Sequence, residues 1–259
     1  SGIIFAGTPG TGKSYYAKRV AKHLVKDPNA NIFRVQFHPS YGYEDFVEGY
    51  RPDESSKSGY QVVDKTFLDA CTRADAVRAD GQFVVVIVDE INRGDPARVF
   101  GELLTYIERD YRGEIFQLPF SGRPRAIPDN LVLLGTMNPF DRSIAQADAA
   151  FVRRFDHISI EPSREIAELL LEEASDFAPE QISMIGDWFD SAQNILPFGL
   201  GHSYFARIKG IDDLLLVWRY RVGPAVQIAL ELNDQADAEN LEKSFQALVR
   251  RLEGGADEE

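Results

Sequence analysis

Sulfur chemistry is nearly missing from this sequence. Its 259 residues include a single cysteine, Cys71, so neither a disulfide nor a multi-cysteine zinc framework can form within the chain. Cys71 shares helical spacing with Phe67 and Ala74. It therefore reads as a small core residue, and the expected setting is reducing and cytoplasmic. Long apolar runs are missing too. Nothing reaches the ~18 residues that a membrane span needs, and residues 83–88, the longest candidate, have only the length of a buried strand. No membrane partner is expected. Basic excess is also absent: 28 Lys and Arg stand against 41 Asp and Glu, a formal net charge of −13. Duplex-DNA binders carry a basic face, so the stretch as a whole does not read as one, while local basic loops stay open. No leader pattern precedes Ile3-Ile4-Phe5. The sequence opens inside a strand pattern, so the expectation is a piece of a longer protein.

What the sequence does have is alternation. Residues 3–6, 83–88 and 131–136 are largely apolar and bounded by turn or charged residues, and 32–37 and 157–160 read as further strands. Residues 13–26 and 66–79 show helical periodicity between them. Asp95-Pro96 offers an N-cap and a first-turn proline, ahead of one apolar face at Val99, Phe100, Leu103, Leu104 and Ile107. Strands separated by helices predict an α/β fold with a parallel sheet and right-handed crossovers. Ligands of such sheets sit at the carboxyl ends of the strands. After Pro162 the pattern turns helical, over residues 163–174, 179–194, 212–232 and 238–252. The Gly- and Pro-containing stretch 112–128 reads as a β-hairpin. It could face a pore, a partner or solvent.

The chemistry is carried at the strand ends. Gly7-Thr8-Pro9-Gly10-Thr11-Gly12-Lys13-Ser14 fits the G-x-x-x-x-G-K-[ST] phosphate loop in full. Its glycines let the backbone wrap an anion without Cβ clashes, and successive N–H groups and a helix N-terminus supply positive potential. Lys13 can reach the β- and γ-phosphates, and the Ser14 hydroxyl can ligate Mg2+. The strand 83–88 runs into Asp89 and Glu90. Paired carboxylates in an apolar setting are costly unless a cation shares the site. Asp89 can hold Mg2+, and Glu90 can polarise the attacking water. Asn138, at the end of the strand that includes Gly135-Thr136-Met137, can bond the γ-phosphate or that water; an ordinary Asn-Pro turn is the alternative. Arg153 and Arg154 stand between apolar residues just before a strand, where an arginine can stabilise phosphoryl charge, commonly in a neighbouring subunit. A surface bridge to Asp156 is the alternative.

The order of these parts resembles AAA+ NTPases, and more narrowly the McrB family, the motor subunits of methylcytosine-dependent restriction systems. Four stretches carry the resemblance: residues 35–52 (VQFHPSYGYEDFVEGYRP), Asp89-Glu90-Ile91-Asn92-Arg93 with Val99-Phe100-Gly101-Glu102, Met137-Asn138-Pro139-Phe140-Asp141-Arg142-Ser143, and Gly201-His202-Ser203-Tyr204-Phe205. With the change of pattern at Pro162, the resemblance implies an AAA+ α/β core over 1–162 and a small α-helical lid over 163–252, while the composition of 253–259 reads as an acidic tail. It implies a GTP-preferring ring, hexameric in the family, so that GTP or ATP would be hydrolysed with Mg2+. An McrC-like nuclease or other effector would be the partner, and DNA would be read by a domain outside this stretch. Asn138 and Asp141 would act in hydrolysis, Arg153 or Arg154 would be the finger acting in trans, and His202 would lie in a lid loop facing the nucleotide. Two departures stand out. The family's signature loop usually reads Met-Asn-Thr-Ala-Asp, where Pro139-Phe140 stand here, and its run of three arginines is two. Residues His38, Tyr41 and Tyr43 are read as architectural. MoxR-like remodelling chaperones share such a core, but residues 35–52 favour the restriction branch. An assembly scaffold with weak hydrolysis is a third reading, which intact Lys13, Asp89 and Glu90 weigh against.

Overall fold

A computed structural model of the chain describes residues 2–55, 57–139, 149–230 and 235–254. The fold class is as expected: a parallel sheet flanked by helices, followed by a helical region. Contacts divide the chain into two units, residues 1–7 with 13–159, and residues 8–12 with 160–259.

The first unit is built on five parallel strands: β1 (Gly2–Ala6), β2 (Ile32–Gln36), β5 (Val84–Asp89), β8 (Leu131–Met137) and β9 (Phe155–Ser159). Their order is β2-β5-β8-β1-β9. All six residues of β5 are buried, because helices cover both faces of a parallel sheet and alternation then gives no advantage. Burying each Val or Phe of this core contributes about 1.5–3 kcal/mol. On one face Val84, Val86 and Val88 join a cluster with Phe67, Ala70, Cys71 and Ala74, from the helix Thr66–Val77. Burial pushes the Cys71 thiol up to about 12, so it is an inert core group. Phe37, Phe46 and Phe100 stack edge-on in the same core, with the Phe46 and Phe100 centroids 5.3 Å apart.

Several elements depart from the expected bounds. The first helix ends at Leu24 rather than at residue 26, and Leu24 is exposed while Val25 is buried. The helix capped by Asp95 does not run on to Ile107. It stops at Phe100 and restarts as Leu103–Tyr106, because Gly101 takes a φ of 53° and turns the chain. A Cβ there would stand 3.2 Å from the Tyr43 ring. The apolar periodicity survives the break, since Val99, Phe100, Leu103 and Ile107 are all fully buried.

Two antiparallel pairs complete the unit. One joins β3 (Glu48–Pro52) to β4 (Tyr60–Asp64) and had no counterpart in the sequence reading. The other, β6 (Phe116–Gln117) with β7 (Pro124–Arg125), is the expected hairpin in shorter form. Glu48 ties them together. Its fully buried carboxylate accepts N–H bonds from Phe120 (2.7 Å) and Ser121 (3.2 Å) at the hairpin tip. Tyr50 stacks on Phe120 beside it. Tyr43 donates its hydroxyl to Glu102 at 2.7 Å. These contacts fit the architectural reading of Tyr43.

The second unit is helical. Arg164–Ala174, Pro179–Ile195, Ile211–Val217, Gly223–Leu230 and Gln235–Leu252 are α-helices. The helix expected over 212–232 is interrupted by a π-helical turn at Trp218–Val222. There the Trp218 indole lies flat on Phe245 at 4.3 Å, with Trp188 edge-on to both. Two large rings packed in one layer account for the wider turn. Among the described residues no helix is long and apolar enough to cross a membrane.

Candidate functional site

The carboxyl end of β5 is held by side chains from three directions. Asp89 is 6% exposed. Its Oδ1 accepts hydrogen bonds from Ser14 Oγ at 2.9 Å and from Thr136 Oγ1 at 3.2 Å. Its Oδ2 accepts from Arg34 Nε at 2.8 Å and again from Arg34 Nη2. Ser14 arrives on the helix Lys13–Leu24, Thr136 on β8 and Arg34 on β2. Parallel pairing explains the convergence, since Gln36 registers with Asp89 and Val88 with Gly135.

Glu90 then leaves the strand with a φ of 55°, the one positive value on a non-glycine residue among those described. Such a turn costs about 1–2 kcal/mol for an L-residue, and two bonds hold it. The Glu90 N–H donates to Thr136 Oγ1 at 3.1 Å, and the Ile91 N–H to the Thr136 carbonyl at 2.9 Å. Thr136 thus orients both carboxylate-bearing residues. Lys13 is buried in the same unit. Desolvation lowers its pKa, and the Glu90 charge acts in the opposite sense.

Asn138 follows directly after β8 and is half-buried. Its carbonyl accepts from Asn92 Nδ2 at 2.9 Å. Asn92 is 6% exposed and its Oδ1 meets no hydrogen-bond donor among the described residues. The two strand ends are therefore linked: residues 89–92 at one, residues 136–138 at the other. Asp141 lies outside the described residues. The two arginines separate. Arg154 Nε sits 2.7 Å from Glu108 Oε1, close enough for an ion pair though not aligned as a hydrogen bond, whereas Arg153 is exposed.

The central residues of the phosphate loop, 8–12, group with the second unit. Thr11 donates its hydroxyl to the Thr8 carbonyl at 2.9 Å. Gly10 and Gly12 take φ values of 81° and 80°. Pro9 is exposed while Thr8 and Thr11 are buried. The Gly10 carbonyl accepts the Ser203 N–H at 2.8 Å. A Cβ on Gly201 would come within 2.1 Å of the Gly10 backbone, so only glycine fits. His202 is 3% exposed. Its Nδ1 accepts the Ser163 N–H at 3.3 Å, and it also bonds the Thr11 backbone. Burial lowers its pKa, with the Thr11 bond opposing. Its ring is turned to the loop backbone.

Arg34, Thr136 and Asn92 were not named as site residues from sequence. A charged residue inside the strand pattern 32–37 is the available signal for Arg34; the other two carry none that spacing could reveal.

The family model of the AAA domain, dynein-related subfamily, matches residues 2–155. The chain is 36% identical over 228 residues to the Type IV methyl-directed restriction enzyme EcoKMcrB subunit of Escherichia coli K12, a match covering 82% of this chain and 48% of that protein. It is 28% identical over 205 residues to the Type II restriction enzyme BsuMI component YdiS of Bacillus subtilis 168, covering 64% of this chain and 59% of that one. The chain therefore spans about half the length of the curated relatives it matches.

Proposed function

Since this chain belongs to the AAA family, in its dynein-related subfamily, we propose that it is the nucleotide-hydrolysing motor part of a restriction or anti-phage defence complex. The observation that carries the reading is the Ser14–Asp89 hydrogen bond of 2.9 Å beside a strained Glu90. A phosphate-loop hydroxyl whose proton is committed to a carboxylate turns its lone pairs to a cation. The Ser14 hydroxyl and the Asp89 carboxylate are the hard oxygen donors that Mg2+ takes, so they would hold it with phosphate oxygens and water completing its shell. When bound, the ion would neutralise phosphate charge.

The chain's own residues take the remaining roles. Lys13 binds the β- and γ-phosphates, and its partial burial strengthens that attraction. The backbone of residues 8–12 wraps the phosphates. Glu90 orients and deprotonates the attacking water, aided by Asn138, and Asp141 acts in the same loop. Arg154 is engaged by Glu108, so Arg153 is the arginine that reaches a neighbouring protomer's nucleotide. Action in trans requires a neighbouring protomer, and we take the assembly to be a hexameric ring. The similarity to subunits of two restriction enzymes supports a nuclease or other effector as partner, with GTP or ATP as fuel and DNA read elsewhere in the full protein. Glu90→Gln is expected to cut turnover by about 100-fold or more while triphosphate binding stays within about twofold. Normal turnover by that variant removes Glu90 from the mechanism.

A further inference from the structure

We propose that Arg34 sets the divalent-cation requirement of this site, because its permanent charge competes with Mg2+ for Asp89. The inference rests on the reading of Ser14 and Asp89 as the cation's holders. Arg34 lies on the edge strand β2, two residues before the partner in register with Asp89. Its Nε and Nη2 both bond Oδ2, and Oδ1 is shared by Ser14 and Thr136. All the hydrogen-bonding directions that matter on this carboxylate are thus engaged, and the partner on Oδ2 is a cation.

Burial makes the charge count. The Asp89 side chain is 8% exposed, so attraction and repulsion around it are weakly screened compared with those between surface charges. A guanidinium cannot shed its proton to make room. It can only swing aside, and the Arg34 side chain, 47% exposed, has solvent to swing into. A divalent ion approaching Asp89 alone meets a like charge and an oxygen already carrying two donors. Mg2+ dehydrates reluctantly, so that repulsion weighs most against the free ion. An ion delivered with a triphosphate brings compensating negative charge that can also attract the displaced guanidinium. Arg34 therefore raises the Mg2+ concentration at which the nucleotide-bound site fills, and raises it further for the free ion.

Equilibrium binding of a methylanthraniloyl-labelled GTP or ATP to the full chain, followed by fluorescence as Mg2+ is titrated, reads this without turnover. Arg34→Gln is expected to lower the half-saturating Mg2+ concentration about tenfold, equivalent to ~1.4 kcal/mol. Arg34→Lys, which keeps the charge, is expected to remain within about twofold of the unmodified chain. A purely structural Arg34 would shift the melting temperature and leave the Mg2+ midpoint alone. An unchanged or raised midpoint in Arg34→Gln overturns the proposal, and so does an Arg34→Lys chain that behaves like Arg34→Gln. Should Arg34→Gln fail to fold, Arg34→Met carries the same two outcomes. An unmodified chain that binds neither labelled nucleotide at any Mg2+ level, or binds them without regard to Mg2+, overturns the underlying reading of the site, whereas Mg2+-dependent binding whose midpoint Arg34→Gln leaves unchanged overturns the role of Arg34 alone.

Discussion

The two units hold their candidate functional residues by different physics. In the first, charged and hydroxyl side chains meet on one buried carboxylate: Ser14, Thr136 and Arg34 on Asp89. In the second, the phosphate-loop backbone is held by shape and by main-chain bonds: Gly201 against Gly10, Ser203 N–H on the Gly10 carbonyl, His202 on Thr11. A charge-based arrangement tolerates small changes of volume and responds to ions. A shape-based one tolerates no added atom and is indifferent to salt.

That contrast can be broken most directly with a pair of alanine substitutions. Asp89→Ala and Gly201→Ala are both expected to reduce turnover about 100-fold or more, with opposite binding signatures. Asp89→Ala removes the Mg2+ dependence and leaves Mg2+-free triphosphate binding within about threefold. In Gly201→Ala the new Cβ meets backbone at 2.1 Å, which costs about 1–3 kcal/mol and weakens binding with and without Mg2+. Equal loss of Mg2+-free binding in both would erase the distinction. A middle-sized effect concerns acid. The folded pKa of His202 lies below its ordinary 6.5, so the unfolded chain takes up a proton that the folded chain refuses. Stability therefore falls as pH drops below about 6.5, and rises with pH through the window beneath it. Thermal melts from pH 7 to 5 should show this slope, and His202→Gln should flatten it. The smallest effect lies on the second unit's surface. Arg164 bonds Glu168, Asp187 and Asp190, and Arg164→Ala should cost about 1 kcal/mol or less, shrinking as salt is raised.

Much of the fold was legible in advance where one physical signal dominates. A buried parallel strand must be continuously apolar, so β5 and β8 stood out. The phosphate loop stood out because its spacing serves the anion, and the McrB resemblance agreed with the family match and with the two restriction relatives. Signals that depend on a partner were not legible. Gly101 ends a helix whose apolar period runs straight through it, and nothing local says that Tyr43 will occupy the space beside it. The β3–β4 pair reads as loop because Gly49, Pro52 and Gly59 dilute its strand pattern, while Glu48, its anchor, looks like any surface acid until the hairpin tip buries it. The π-helical turn at Trp218 follows from the rings of Trp188 and Phe245, far off in sequence.

By itself, then, the sequence determined the chemistry on offer: which strands end in carboxylates, a hydroxyl or an amide, and that a lysine and a serine follow a glycine-rich turn. Such features depend on residue type and spacing within one element. Only the tertiary structure decided how those groups are shared out. It placed a cation from an edge strand on Asp89, gave Thr136 both carboxylate-bearing residues, paired Arg154 with Glu108 while Arg153 stays exposed, and turned His202 to the loop backbone. Those outcomes depend on register between strands and on burial, and neither is written in any single segment.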